Sequence, residues 1–311
     1  MLAILALLPL LFVSCKSTKT ASDTPVATAE DSAESSVTRS VPEPVRSLLW
    51  EISGNGLTES SYLYGTIHII GSNDYLMPQA VEEAFAQTEL LALEIDMDDP
   101  GMMRAMMGGM MMEGDTTLTD LLSPEDYQLA RDFLLDSADV PEIAIKQIEK
   151  MMPFLALSTI YPKMIDGEMR SYEQEFMNMA KARELEIVGV ESIEAQLGTI
   201  AQIPYQAQAS MLMEYVRDFA GQKALMADMI DLYRKQDIEG LLALMDESEG
   251  GNVGDFEEIL LENRNRNWIP VMGKLAKQQP TFFAVGAGHL AGKTGVIQLL
   301  RDAGYTVKPV M

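Results

Sequence analysis

The chain has 311 residues, 47% of them hydrophobic, enough to bury a full core in one large domain or two small ones, and a single domain is favoured. Its formal charge of −24 argues against nucleic acid or an anionic membrane face as partner, because both would repel such a surface. The one cysteine, Cys15, excludes an intramolecular disulfide and a thiolate metal cluster. Met1 to Val13 is an uncharged apolar run, too short for a spanning helix, and reads as the core of a secretory signal over residues 1–14. Phe12-Val13-Ser14-Cys15 has the form of a bacterial lipobox, with Cys15 as the lipidated residue and residues 15–47 as a tether rich in Ser, Thr, Ala, Pro and Glu. That arrangement predicts a cell-envelope location, with the membrane reached through the lipid.

The folded part is expected from residue 48 onward. Leu49-Trp50-Glu51-Ile52 and Ser61-Tyr62-Leu63-Tyr64, around Gly54-Asn55-Gly56, predict a β-hairpin leading to His68. A helix follows from Pro78, with Ala80, Val81, Ala84 and Phe85 on one face. Leu90 to Asp96 then reads as an apolar strand with acids, Glu94 and Asp96, at its C-terminal end, and the strand–helix–strand order predicts a parallel pair that brings His68 and Glu94 to one edge. The segment Met102 to Met112 is dense in methionine; it could be a loosely helical loop, a pliable lid over a cleft, or a thioether site for Cu(I). Amphipathic patterns broken at Pro141, Pro153 and Pro162 predict several helices from Leu121 to Arg183. Ile187 to Val190 is a short strand ending at Glu191, with Ser192 as the cap of the next helix. Helices are expected from Gln206 to Gly250 and from Phe256 to Lys277, then a strand at 281–286, a helix near Gly295 to Ala303 and a last strand at Tyr305 to Lys308. The fold class is therefore α/β (or α+β): a central mixed sheet built from N- and C-terminal strands, with a large helical insertion between them.

The chain has two histidines, and both stand in one frame, Gly65-Thr66-Ile67-His68 and Gly286-Ala287-Gly288-His289, each after a strand-like run. Alone, each is an ordinary capping or core residue; together, at matching strand ends, they point to a site. Two imidazoles and the Glu94 carboxylate are enough to hold a divalent metal with a position open for water, which would become a nucleophile near neutral pH. The glycines suit strand ends that turn sharply. Asp96 is a candidate acceptor for a ligating imidazole. Glu191 is either a general base or a solvated charge at a helix start. Arg264 could pair a carboxylate or stabilise an oxyanion, or form a surface ion pair.

The ordered set Tyr64-Gly65-Thr66-Ile67-His68, Leu93-Glu94-Ile95-Asp96, Val188-Gly189-Val190-Glu191-Ser192 with Gln196, Arg264-Asn265 with Trp268, and Val285-Gly286-Ala287-Gly288-His289-Leu290 with Gly304-Tyr305-Val307 resembles the TraB/GumN family, which includes the Tiki proteins. The resemblance covers about Leu48 to Val310 and implies a metal-dependent, peptidase-like fold related to the erythromycin esterase and haem-binding ChaN groups. It implies His68, His289 and Glu94 as the metal site, and with the residue reading above the expected cofactor is Mn²⁺, Co²⁺ or Zn²⁺ and the catalytic candidates are Glu94, Glu191 and Arg264. The function expected is a lipid-anchored envelope hydrolase, a peptidase acting on peptide or protein; the alternative is a non-enzymatic haem- or metal-binding envelope lipoprotein.

Overall fold

The structure, a computed structural model, describes residues 46–248 and 256–311. The signal, the lipobox Cys15 and the tether through Val45 lie outside the described residues. The packed chain begins at Ser47, which is buried and donates through Oγ to the carbonyls of Leu49 (2.7 Å) and Val310 (3.1 Å).

Strands β1 (Leu49–Gly54) and β2 (Ser61–Thr66) form the expected hairpin, with Leu49 opposite Tyr64 and Ile52 opposite Ser61. The turn uses left-handed backbone at Gly54, Asn55 and Gly56, residue types that adopt positive φ at low cost. A two-residue strand, β3 (Ile70–Gly71), precedes helix α1 (Gln79–Ala86) and strand β4 (Leu90–Ile95). The middle of the chain is helical: α2 (Met102–Gly109), α3 (Leu118–Leu121), α4 (Pro124–Asp136), α5 (Glu142–Ile148), α6 (Pro153–Ala156) and, after the short strand β5 (Met169–Arg170), α7 (Tyr172–Ala182). Strand β6 (Glu186–Glu191) is followed by α8 (Ile193–Ile200), α9 (Tyr205–Arg217), α10 (Phe219–Arg234) and α11 (Ile238–Ser248). A π-helical turn at Glu258–Glu262 leads into α12 (Asn263–Gln278), then β7 (Thr281–Gly286), a 3-10 turn at Ala287–His289, α13 (Val296–Asp302) and β8 (Tyr305–Pro309). Among the described residues no helix is long and apolar enough to cross a membrane.

The main sheet has the order β6-β4-β7-β2-β1-β8, mixed as expected, with β6, β4, β7 and β2 parallel and β1 antiparallel to both its neighbours. One expectation is corrected. β2 and β4 do not pair; β7 lies between them, although both run parallel to it. Its run Phe282-Phe283-Ala284-Val285 is apolar throughout and buried on both faces, which suits a central strand better than an edge. The parallel order still brings the carboxyl ends of four strands to one edge, the usual place for a site in such sheets.

On one face of the sheet α1 and α7 supply Phe85 and Phe176, whose rings lie 5.2 and 4.9 Å from that of Phe282. Phe176 also meets Tyr64 of β2 edge-on at 5.5 Å. This cluster fixes α7 against the strands that carry the histidine motifs. Most of the methionine segment, Met102–Gly109, is a helix, and Met111 beyond it bridges to Met151. Met102, Met106 and the C-cap Met110, four residues apart, are buried on one helical face while Met103 and Met107 face outward; Met112, beyond the helix, is buried too. The helix lies against α8, and Gly109 allows the close approach, since a Cβ there would sit 2.8 Å from Leu197.

Candidate active site

His68 follows the end of β2, and His289 closes the 3-10 turn after β7. The two motifs are brought side by side by the pairing of Thr66 with Gly286. Glu94, on β4 and 6% exposed, points to the same place: its Oε1 is 3.8 Å from His68 Nε2 and 3.9 Å from His289 Nε2. The same Oε1 accepts from the Gly286 backbone N–H at 2.8 Å. Gly286 suits that spot, because a Cβ there would crowd Glu94 Oε1 at 3.2 Å while just touching both imidazoles at 3.5 Å. The juxtaposition predicted for His68 and Glu94 is therefore present, with His289 beside them.

Each imidazole is oriented through its other nitrogen. His68 Nδ1 donates to Glu173 Oε1 at 2.8 Å, and Glu173 is itself held by Thr66 Oγ1 (2.7 Å) and Ser171 Oγ (2.8 Å). His289 Nδ1 donates to Asn265 Oδ1 at 2.6 Å, and the Asn265 amide N–H group donates to the carbonyls of His289 and Thr294. Burial would lower the pKa of His68, but the Glu173 carboxylate outweighs it and the value rises to about 9. His289 has no carboxylate on Nδ1; burial pushes it down to about 3, so it is neutral at ordinary pH.

Arg264 lies in the centre, 3% exposed. Its Nη2 donates to Glu94 Oε2 and to Glu191 Oε1, both at 2.6 Å, its Nε to Glu191 Oε1 at 3.0 Å, and its Nη1 to His289 Nε2 at 3.2 Å and Leu260 O at 3.1 Å. Only one lone pair on His289 Nε2 can accept that bond, which agrees with the Nδ1–H tautomer set by Asn265. The guanidinium also stacks over Trp268, whose ring is 4.4 Å from the His289 ring. Of the readings open for Arg264, a buried carboxylate partner is the one observed, not a surface ion pair. Burial works to raise the pKa of Glu94, but Arg264 and the Gly286 N–H hold it well below the ordinary carboxylate range. Glu191 goes the other way: burial raises its pKa despite Arg264. It is not a solvated helix-start charge. Its neighbour Ser192 does cap α8, accepting from the Ala195 N–H.

Asp96 does not serve either imidazole. It lies one residue past β4, accepts from the Asp98 N–H, and lines a groove of about 450 Å³ with Asp99, Met102, Glu191 and Glu194. Glu173 takes the role foreseen for it on His68. Nothing in the sequence marks Glu173, since an acid two residues after a capping Ser is what any helix start carries. Asn265 and Gln196, which donates to Glu94 Oε2 at 3.4 Å, were legible as neighbours of Arg264 and of the Ser192 cap, without a role.

The donor set can be tested against a divalent ion. Both imidazoles present Nε2 toward one carboxylate, and each Nδ1–H is held by an acceptor, the arrangement by which proteins orient metal-binding histidines. Among the described residues, however, no group of three or more His, Cys, Asp or Glu side chains is placed to hold a metal as it stands. Arg264 Nη1 and Nη2 engage the lone pairs of His289 Nε2 and Glu94 Oε2, and His68, with a pKa of about 9, holds a proton on Nε2. The donor types, two imidazoles and a carboxylate, suit a divalent ion, and binding one requires Arg264 to leave those two and His68 to lose its Nε2 proton.

The chain is similar to zebrafish (Danio rerio) "Metalloprotease TIKI1", 23% identical over 85% of this chain and 63% of that protein. It is also similar to "Metalloprotease TIKI2" of the same animal (22%, over 91% and 65%) and to the "Metalloprotease TIKI homolog" of Nematostella vectensis (21%, over 85% and 67%). The chain thus spans less than two thirds of the length of the first two relatives. No solved structure matches it. The model of the TraB/PrgY/gumN family matches residues 48–309, a span that holds both GxxH motifs, the Glu94 strand and Arg264, and the chain belongs to that family.

Proposed function

We propose that this protein is a metal-dependent hydrolase of the bacterial cell envelope, acting on peptide or protein substrates and anchored through a lipid on Cys15. The observation that carries the chemistry is the convergence of His68 and His289 on Glu94 Oε1, at 3.8 and 3.9 Å, with each Nδ1 held from behind. The names of the relatives support the metal and the peptidase class. His289, Glu94 and His68, the last giving up the Nε2 proton that its pKa of about 9 keeps on it at neutral pH, would hold the ion, and these oxygen and nitrogen donors suit Mn²⁺, Co²⁺ and Zn²⁺ alike. When bound, it supplies Lewis acidity that polarises a carbonyl and activates water.

The remaining residues prepare that chemistry. Glu173 and Asn265 fix the two rings and their tautomers. Glu191, whose buried carboxyl has a raised pKa, is suited to carry a proton to and from the reacting group. Arg264 offers N–H donors to a developing oxyanion. The groove beside Glu191 gives the substrate access.

The test is calorimetry with Mn²⁺, Co²⁺ and Zn²⁺ on the purified chain, followed by a peptide-cleavage assay. One ion should bind per chain, and His289→Ala should abolish both binding and cleavage; normal binding by that variant would sink the assignment. Cys15→Ser should release the protein from the membrane fraction.

A further inference from the structure

The side chain that most obstructs a metal at this site is part of the site. Arg264 is buried and remains charged at all ordinary pH, so a cation already stands against two of the three candidate ligands. Its contacts are unequal. Glu191 receives two N–H groups, at 2.6 and 3.0 Å, whereas Glu94 and His289 receive one each. Glu191 also borders the acid-lined groove, with Asp96, Asp99 and Glu194, so there is space and negative charge on the side away from the histidines.

Resting on the metal-dependent reading above, we infer that Arg264 is a displaceable internal cation, which leaves Glu94 and His289 when a divalent ion binds and stays on Glu191. In the absence of the ion it keeps the buried carboxylates from facing one another unpaired. Glu191 is then the partner that retains the guanidinium, and it influences metal affinity only through Arg264.

The experiment is calorimetric titration of the full chain with Mn²⁺, comparing the wild type, Arg264→Gln, Glu191→Gln and the double variant, with circular dichroism to confirm folding. Arg264→Gln should bind at least tenfold more tightly. Glu191→Gln should bind at least tenfold more weakly, and the double variant should match Arg264→Gln alone. Indole fluorescence should change on adding Mn²⁺ to the wild type, as the guanidinium leaves Trp268, and not in Arg264→Gln. If the wild type binds Mn²⁺ and Arg264→Gln binds equally or more weakly, the displacement is wrong while the metal site stands. Should Arg264→Gln fail to fold, Glu191→Gln decides: unchanged affinity overturns the proposal. If no form binds Mn²⁺, the metal reading falls, and this inference falls with it.

Discussion

His68 and His289 occupy the same four-residue frame at neighbouring strand ends, yet their surroundings are opposite. His68 has a carboxylate behind it and a side chain 19% exposed, and its pKa rises to about 9; His289 has an amide behind it and a guanidinium in front, and its pKa falls to about 3. The frame sets where an imidazole goes. What packs around it sets its charge: for His68 the Glu173 carboxylate on Nδ1, drawn from a distant helix, and for His289 burial with Arg264 in front. A single motif repeated twice thus yields one cationic and one neutral histidine against a shared Glu94.

The largest effect is expected from Glu94→Gln, which removes the carboxylate common to both rings. It leaves the buried Arg264 charge with Glu191 alone and should cost about 3 kcal/mol in denaturant unfolding. A loss below about 1 kcal/mol would mean that the centre is not held by this pair.

Glu173→Gln bears most directly on the contrast. The chain has two histidines, so an NMR titration shows two imidazole signals. In the wild type one should titrate near 9 and the other stay neutral down to about 3. In Glu173→Gln the upper value should fall back toward 6.5, with the His289 signal unmoved. A sign follows for stability. His68, raised above its ordinary 6.5, contributes fully below that value and loses its contribution as pH climbs through 9. His289, lowered from 6.5, contributes above that value and loses it as pH drops toward 3. Their joint contribution should peak near pH 6.5, and Glu173→Gln should flatten the alkaline limb only.

Asn265→Ala takes the partner from the other ring. It leaves a buried Nδ1–H unsatisfied, which should cost about 2 kcal/mol, and should weaken metal binding about tenfold or more by freeing the ring. Equal affinity in this variant would count against His289 as a ligand. Smallest of all, Ser171→Ala removes both the cap of α7 and a hydrogen bond to Glu173, for about 1 kcal/mol. It should nudge the His68 titration downward and leave His289 alone; a shift in both signals would show that the two halves are coupled.

Much of the frame could be read from residues alone. Period-two runs around Gly54-Asn55-Gly56 located the hairpin, the apolar run before Glu94 located a strand end, and Ser192 was legible as a cap. The insertion of β7 between β2 and β4 was not legible, because each strand is an apolar run and nothing local orders them. The Met102 to Met112 segment shows the same limit. The four-residue spacing of Met102, Met106 and Met110 fits a helix, but the glycines and the repetition of one residue type obscured it.

By itself the sequence determined the local devices: two glycine-framed histidines at strand ends, a strand ending in an acid, and the caps and turns that start and stop each element. These depend on backbone freedom and periodicity within a few residues. Only the tertiary structure decided which groups meet them. His68 finds Glu173 at a separation of 105 residues, and Glu94 finds Arg264 at 170. Such pairings follow from packing α7 and α12 against the sheet, and the charge of each histidine depends on them, since in a buried site the nearest partner sets protonation more strongly than the residue's own intrinsic pKa.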